Sequence, residues 1–316
     1  MPKIIDMHCD TVTKLAKNGK SFVHNDEHIS LEKLQQADYM LQCFAIFING
    51  KTDFPYFASC EEYIRVFRSF MQENDQAIRQ VTTTEEILCN SEEGIISALL
   101  TIEGGEAIEG DLNKLQHFYD EGVRMMTLTW NYENEIGYPN YVYEHKVDEE
   151  RGLKPFGFET IDWMWQHGMI VDVSHLNDAG FYDVMTKAEK PIVASHSNAR
   201  AVHFMPRNMS DDMIMKLAAN GGIMGMNYCP DFVSANVEEN QIPALLEHID
   251  HIVKIGGIDV VALGSDFDGI PTPVGLSDAS KMPELYEALK QHGYSEEAID
   301  KIFYKNFLRV LKANEV

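Results

Sequence analysis

The hexapeptide Gly264-Ser265-Asp266-Phe267-Asp268-Gly269 follows the short apolar run 260–263 and is the stretch that decides the fold. An apolar run of this length, bounded by turn residues, predicts a buried strand, so Asp266 would stand at the strand's C-terminal end. The arrangement recurs along the chain, where short apolar runs repeatedly end in residues able to bind a metal ion. These residues are His8, Asp10, Glu103, His175, His196 and Asp266. Parallel strands that end in functional side chains are typical of a barrel with its site at the C-terminal mouth.

Apolar runs alternate with longer stretches of helical period, which predicts a series of βα units. Strands are expected at 3–9, 39–48, 97–102, 123–129, 169–174, 191–195, 222–227 and 259–265. Helices are expected at 59–80, 111–121, 156–167, 178–187, 210–219, 241–256, 281–291 and 295–313. The predicted fold class is α/β, a (β/α)8 TIM barrel in which residues 1–316 form a single domain. A doubly wound open sheet is less favoured, because it would not bring the first and last strands together.

The charge balance argues against nucleic acid as a partner. The chain has 50 acidic and 26 basic residues, which gives a formal charge of −24. Such a surface repels phosphate backbones. Bound divalent cations would offset part of this negative charge, although an ordinary acidic surface explains most of it.

Cysteine usage and the N-terminus predict a cytoplasmic protein without a membrane partner. The five cysteines are widely spaced and form no CxxC pair, which indicates reduced thiols. An apolar strand is expected from residue 3, without the basic and long apolar segments of a signal peptide. No stretch approaches the roughly 20 apolar residues that a transmembrane helix needs.

The first candidate ligands are His8 and Asp10, which lie two residues apart on an expected strand. Their side chains would therefore point to the same face, where an imidazole and a carboxylate can hold one divalent ion. The pair alone is a weak signal, since a solvated pair at a strand end has the same sequence. Asp6 would share this face and orient His8.

Glu103 follows an uncharged strand and precedes Gly104-Gly105. A glutamate in this context is commonly a turn element. At the mouth of a barrel, however, its two oxygens can bridge two metal ions about 3.5–4 Å apart, as in two-metal hydrolases.

His175 and His196 both follow apolar runs, and each has a serine immediately before it. Either histidine alone would be read as a structural residue. Together with carboxylates from other strands they favour a metal site, because neutral imidazole is a common transition-metal ligand. Of Asp266 and Asp268, one is expected to accept a proton from metal-activated water and the other to fix a loop.

Two further features are expected near the mouth. Arg207 follows the strand of His196 and either clamps a substrate carboxylate or is a surface arginine at the start of a helix. The segment 131–155 is the longest polar insertion between a strand and a helix, and loops of this length are commonly functional.

The whole set of motifs resembles the membrane (renal-type) dipeptidase family, a branch of the amidohydrolase-like metal barrels. The resemblance runs from about residue 3 to residue 310 and rests on five motifs in order. These are Asp6-Met7-His8-Cys9-Asp10, Ile102-Glu103-Gly104-Gly105, Asp172-Val173-Ser174-His175, Ser195-His196-Ser197-Asn198 and Gly264-Ser265-Asp266-Phe267-Asp268-Gly269.

The resemblance implies a dipeptidase with two zinc ions per subunit. One zinc would be bound by His8, Asp10 and Glu103, and Glu103 would bridge to a second zinc held by two histidines. These histidines are His175 and His196. A hydroxide between the ions would attack the peptide bond, often with tolerance of a D-residue at the second position. A homodimer is a reasonable expectation from the family.

The same resemblance assigns further roles and shows one departure. Asp266 would pass the proton to the leaving amine, and Arg207 would hold the substrate's C-terminal carboxylate. Where mammalian members have a histidine that contacts the scissile carbonyl, this chain has Trp130. Because an indole cannot titrate, zinc, Asn131 or another group would have to polarise the carbonyl.

Two alternatives stay open at this point. One is another metal-dependent amidohydrolase on the same barrel, acting on N-acyl amino acids, lactones or cyclic amides, as Trp130 and the 131–155 loop reshape the substrate side. The other is a non-catalytic binding protein that keeps the barrel and its metals, since fold alone does not prove function.

Overall fold

The computed structural model describes residues 2–141 and 144–316, and within them nine strands form one parallel sheet. In chain order the strands are β1 (Ile4–Asp6), β2 (Tyr39–Phe47), β3 (Ile78–Val81), β4 (Ile96–Glu103), β5 (Met125–Thr127), β6 (Ile170–Asp172), β7 (Val193–Ala194), β8 (Ile223–Met226) and β9 (Val261–Leu263).

Eight of the nine strands form a closed barrel. Strand β1 pairs with β2 on one side and with β9 on the other, and β2 pairs with β4, so the sheet has no gap between its first and last strands. Strand β3 lies outside this ring and pairs with the N-terminal half of β4. The predicted barrel is therefore confirmed, and the alternative of an open doubly wound sheet is wrong.

The helices occupy the connections between the strands. They are α1 (Thr11–Asn18), α2 (Leu31–Gln36), α3 (Tyr56–Glu73), α4 (Thr84–Glu93), α5 (Leu112–Asp120), α6 (Pro155–His167), α7 (Asp178–Lys187), α8 (Asp211–Ala219), α9 (Pro230–Val233), α10 (Ile242–Gly256), α11 (Met282–His292), α12 (Glu296–Asp300) and α13 (Asn306–Asn314). No helix of the described residues is both long and apolar enough to cross a membrane.

All eight predicted strands are present; β4 is one residue longer at each end than the predicted 97–102, and the other seven have shorter bounds. The prediction of one helix over 59–80 is wrong at its end, because α3 stops at Glu73 and the chain then enters β3. In β3 only Ile78 and Val81 are buried, three residues apart, and this spacing imitates a helix. The helix expected at 295–313 is interrupted by a π-helical turn, Lys301–Lys305.

The barrel interior is filled by apolar side chains from all eight of its strands, among them Ile5, Leu41, Leu99 and Ile223. The last helix, α13, adds Phe307, Val310 and Leu311 to this cluster. Its Asn314 side chain donates to the carbonyl of Pro191, just before β7, so α13 covers the N-terminal end of the barrel. The opposite, C-terminal end is left for the site.

Two glycines allow close approach of strands near that end. A Cβ at Gly225 would lie 2.1 Å from the carbonyl oxygen of Ser195, and a Cβ at Gly264 would lie 1.8 Å from the same atom. Any side chain at either position would push the strands apart. The glycines therefore help to hold the strands that carry His196 and Asp266 close together.

One seam of the barrel, between β6 and β7, has minimal strand pairing, with the single register pair Asp172 and Val193. The β1–β9 pairing also has one register pair, Asp6 with Leu263, but a parallel bridge between Cys9 and Phe267 extends it. The other neighbours in the ring have two or more.

Candidate metal centre

The first group of ligand atoms is formed at the end of β1. His8 Nε2 lies 3.3 Å from Glu103 Oε2 and 3.7 Å from Asp10 Oδ2. Asp10 occupies the N-cap position of α1, yet its side chain makes no capping hydrogen bond. His8 Nε2 and Asp10 Oδ1 are buried and have no hydrogen-bond partner among residues 2–141 and 144–316. Buried polar atoms are normally satisfied, so this group fits a bound cation.

The second group shares Glu103 with the first. Glu103 Oε1 is 2.9 Å from His175 Nε2 and 3.4 Å from His196 Nε2. The two oxygens of one carboxylate thus face different sets of ligands. Burial raises the pKa of Glu103 to about 8, so a nearby cation would be needed to keep it ionised at neutral pH.

A chain of hydrogen bonds sets the tautomer of His196. Ser195 Oγ donates to the Asp172 carboxylate, and Ser195 Oγ is also 2.7 Å from His196 Nδ1. Because the serine proton is directed to Asp172, the serine oxygen must accept from Nδ1–H of His196. Nε2 of His196 therefore carries the lone pair that a metal ion requires.

Asn131 sets the tautomer of His175 in the same way. Its side-chain oxygen, an acceptor, lies 3.0 Å from His175 Nδ1, which must therefore carry the proton. Nε2 of His175 and Nε2 of His196 are 3.0 Å apart, and both now carry lone pairs. Two lone pairs cannot hydrogen-bond to each other, but both can bind one cation. Burial lowers the pKa of both histidines, which keeps them neutral.

Two buried aspartates hold the backbone under the ligands. Asp6 Oδ1 accepts from the N–H groups of His8, at 3.2 Å, and Ser265, at 2.9 Å. It therefore orients His8 through the main chain of that residue. Asp172 Oδ1 accepts from the N–H groups of Ser174 and Ser195, both at 2.9 Å. Each aspartate thus ties two neighbouring ligand-bearing segments together.

Asp266 lies at the edge of the first group. Its Oδ1 is 4.0 Å from His8 Nε2, and its Oδ2 accepts a hydrogen bond from Asn227 at 2.9 Å. Burial raises the pKa of Asp266 to about 7. A Cβ at Gly269 would be 2.6 Å from Asp266 Oδ1 and 2.0 Å from Asp10 Oδ2, so only glycine leaves these carboxylates their space.

Asp266 and His175 both have left-handed backbone conformations, with φ of 63° and 66°. Such values are uncommon for residues with a side chain and are enriched at functional sites, where the surrounding structure stabilises them.

The structure identifies Asp268 as the residue that fixes a loop. Its Oδ2 accepts from Thr11 Oγ1 at 2.6 Å and from the N–H of Ile29 at 3.3 Å, and its Oδ1 accepts from the N–H of His28 at 2.8 Å. These bonds hold the segment before α2 against the end of β9.

A cavity of about 440 Å³ opens in front of the ligands. Trp130 and Asn131 both line it, which places the start of the 131–155 loop at the mouth as expected; residues 142 and 143 lie outside the described residues. The rings of Phe47 and Trp130 are 4.8 Å apart and nearly perpendicular, so together they form an aromatic wall.

Arg207 is buried behind His196. Its guanidinium donates to Ser197 Oγ at 2.7 Å and to the carbonyl oxygen of His196 at 2.8 Å, while Nε has no partner. The interpretation as a surface arginine is therefore wrong. Arg207 also stays outside the cavity lining, so contact with a substrate would require it to move.

Several residues of the site were missed by sequence reasoning. The roles of Asp172, Asn227 and Gly269 depend on contacts with segments distant in the sequence, which no local pattern reveals. The serine before each histidine was a visible signal, and for Ser195 it marks the group that sets the tautomer of His196.

Several known proteins are similar to this chain over most of its length. The family model of the membrane dipeptidases, peptidase family M19, matches residues 2–316. An uncharacterized dipeptidase of Schizosaccharomyces pombe is 31% identical over 303 residues, which cover 92% of this chain and 73% of that protein. An uncharacterized protein of Klebsiella pneumoniae, named for the pqqA 5′ region, is 32% identical over 255 residues, which cover 79% and 94%.

Two solved structures have the same fold. A metallopeptidase from Rhodobacter sphaeroides, determined with a phosphinate mimic of the dipeptide L-Ala-D-Ala, superposes with a TM-score of 0.92 at 24% identity and covers 99% of both chains. A dipeptidase described as a metallopeptidase of family M19 also has a TM-score of 0.92, at 25% identity, and covers 99% of this chain and 98% of that one.

Proposed function

Because the chain belongs to the membrane dipeptidase family, peptidase family M19, and is a metal-dependent dipeptidase, we propose that it hydrolyses dipeptides with two zinc ions bound at the mouth of the barrel. The observation that carries the proposal is the position of Glu103. One of its oxygens lies 3.3 Å from His8 Nε2 and the other 2.9 Å from His175 Nε2. A carboxylate so placed can bind one ion through each oxygen.

Each ion would have its own ligands. His8 and Asp10 would hold one zinc, His175 and His196 would hold the other, and Glu103 would bind both. When bound, the ions supply Lewis acidity toward the scissile carbonyl and generate hydroxide from water near neutral pH. The nitrogen and carboxylate donors fit zinc, and the same set also accepts manganese or cobalt.

Asp266 would move the proton. Asn227 occupies its Oδ2, so Oδ1 faces the ligands and the cavity. We expect Oδ1 to take the proton from the attacking water and to give it to the nitrogen of the leaving amine as the C–N bond breaks.

The substrate would lie in the cavity between the ligands and the aromatic wall. Trp130 would contact its side chain, and Asn131 would hold His175 while facing the same space. Arg207 would bind the C-terminal carboxylate after its side chain has moved toward the cavity. The complex of the Rhodobacter sphaeroides metallopeptidase with a mimic of L-Ala-D-Ala supports tolerance of a D-residue at the second position.

A single-domain, homodimeric protein in the cytoplasm is part of the same proposal. All five cysteines are free thiols, and four of them are buried, which agrees with a reducing compartment. Sedimentation of the purified protein and fractionation of cells would test the dimer and the compartment.

The decisive experiment is hydrolysis of L,L- and L,D-dipeptides by the zinc-loaded protein, with N-acetylated dipeptides and N-acyl amino acids as comparators. Cleavage of free dipeptides, with the N-blocked compounds spared, is expected. Cleavage of N-acyl amino acids alone would replace this proposal by the second candidate, an amidohydrolase whose substrate side is reshaped by Trp130.

A further inference from the structure

One face of α1 continues from the metal ligands along the wall of the cavity. Asp10, Thr13, Lys14 and Lys17 all line the cavity, and their spacing of three, four and seven residues is that of one helix face. The helix begins directly after Asp10, so its cavity face leads from a metal ligand to two lysines. With a rise of 1.5 Å per residue, Lys14 and Lys17 are about 6 and 10 Å farther along the helix axis than Asp10.

Both ammonium groups are positioned by carboxylates and keep donors for a ligand. Lys14 Nζ lies 2.8 Å from Glu27 Oε2 and 3.5 Å from Asp268 Oδ1. Lys17 Nζ lies 3.4 Å from Asp53 Oδ2. An ammonium has three N–H donors, so these contacts leave each lysine able to bind a further oxygen. The side chains are 33% and 48% exposed, which leaves their charged ends accessible.

The lysines are also distinctive in the charge they bring to this cavity. Among the described residues, the lysine and arginine side chains that line it are Lys14 and Lys17, while the lining also contains several carboxylates. These carboxylates belong to Asp10, Glu103, Asp231, Asp266 and Asp268. A negatively charged group of a substrate would be repelled from most of the wall and attracted to the cavity face of α1.

We propose that Lys14 and Lys17 bind a carboxylate of the substrate and so direct the enzyme toward dipeptides with an acidic side chain. The inference rests on the proposed dipeptidase function. The acidic side chain of a bound dipeptide would extend away from the scissile bond. Lys14 and Lys17 likewise lie farther from the metal site than Asp10 does, along the cavity face of α1. The C-terminal carboxylate of the dipeptide has the same chemistry, and the experiment separates these two sources.

The test compares substrates that differ in one charge. Ala-Glu and Ala-Gln have nearly equal size and differ in the side-chain carboxylate, while Ala-Gln and its C-terminal amide differ in the terminal carboxylate. We would measure kcat/KM for all three with the wild type, Lys14→Met and Lys17→Met. The matched control is Lys20→Met, because Lys20 contacts Glu27 at 2.5 Å but belongs to no part of the cavity lining.

The kcat/KM for Ala-Glu divided by that for Ala-Gln is expected to fall about tenfold in Lys14→Met and in Lys17→Met. A change of this size corresponds to the loss of a charge-assisted hydrogen bond. Lys17→Arg should restore most of the ratio, since it keeps the charge. If the ratio of Ala-Gln to its amide falls instead, the bound group is the terminal carboxylate. If both ratios stay at the wild-type value, or fall equally in Lys20→Met, the proposal is overturned.

A binding measurement separates this inference from the proposed function. Glutamate and glutamine are amino acids that a dipeptidase cannot cleave, so their affinities for the zinc-loaded protein can be measured by calorimetry. We expect glutamate to bind more tightly than glutamine and to lose this advantage in Lys14→Met. If the protein cleaves no dipeptide but still binds glutamate more tightly than glutamine, the proposed function is contradicted and the lysine site is not. Equal affinities in the wild type would overturn the lysine site.

Discussion

Asp172 accepts two hydrogen bonds from Ser195, one from the backbone N–H to Oδ1 and one from the hydroxyl to Oδ2. The first bond positions the end of β7, and the second directs the serine proton away from the neighbouring histidine. Through Ser195, the Asp172 carboxylate therefore controls both the position and the tautomer of His196, a candidate metal ligand.

Replacing Asp172 by Asn should weaken zinc binding while keeping the fold. The amide oxygen can still accept from the two backbone N–H groups, but the NH2 group would donate to Ser195 Oγ. The hydroxyl proton could then turn to His196 Nδ1 and favour the tautomer with the proton on Nε2. We expect zinc affinity to fall by about 10–100-fold, as for other residues that orient ligands, measured by competition with a chromophoric chelator.

The control for this variant is Thr127→Val. Thr127 Oγ1 donates to the same oxygen of Asp172 at 2.6 Å without contacting His196. Its loss should leave zinc affinity within a few-fold of the wild type. Equal weakening in both variants would contradict the tautomer interpretation.

Asp266→Asn should abolish turnover and retain the metal. The amide cannot accept the proton of the attacking water, whereas the five proposed metal ligands stay unchanged. A fall in kcat of about 10²–10⁴-fold is expected for the loss of a general base. The readouts are kcat on a cleaved dipeptide and zinc content by elemental analysis, and unaltered turnover would remove Asp266 from this role.

Zinc stoichiometry tests whether Glu103 is shared. His8→Ala and His175→Ala each remove a ligand of one group, so each variant should retain about one tightly bound zinc. Glu103→Ala removes a ligand from both groups and should weaken the binding of both zinc ions. Removal of zinc by a chelator should also lower the Tm by several degrees, because the ions bind only the folded state. Retention of one tight zinc in Glu103→Ala would contradict the bridge.

Glu106 predicts a pH dependence of stability that is independent of the metals. Its carboxyl is buried, and Asn134 donates to its Oε2 at 3.0 Å, while its Oε1 has no hydrogen-bond partner in the part of the chain that the structure describes. Burial raises the pKa of Glu106 to about 7 from the usual 4.5, so the folded state binds the proton more tightly than the unfolded state. The tighter proton binding contributes about 3 kcal/mol to the free energy of unfolding. This contribution is complete below pH 4.5 and is lost as the pH rises through 7.

Glu106→Gln removes the titration and keeps the shape and the bond from Asn134. The free energy of unfolding of the variant relative to the wild type should therefore rise between pH 5 and pH 8, measured by urea denaturation at each pH. A difference that stays constant over this range would show that Glu106 has the same pKa in both states.

The grouping of the candidate ligands could be predicted because each one lies at the end of its own strand. His8, Glu103 and His196 end apolar runs, and the barrel topology brings all such ends together. Other features depend on pairs that are distant in the sequence. The burial of Arg207 follows from its contacts with Ser197 and His196, and a cation at a helix start gives no local sign of such burial. The lysines of α1 were missed because that helix, between Thr11 and Asn18, was not predicted at all.

The weakly paired seam between β6 and β7 has a consequence for the motions of the barrel. Asp172 spans this seam by accepting a hydrogen bond from the N–H of Ser195. Local opening of the barrel should begin here, and the seam separates His175 from His196, which would share an ion. Dissociation of that ion and local opening of the barrel would then be one event, so zinc dissociation and amide hydrogen exchange at Ser195 should share a rate.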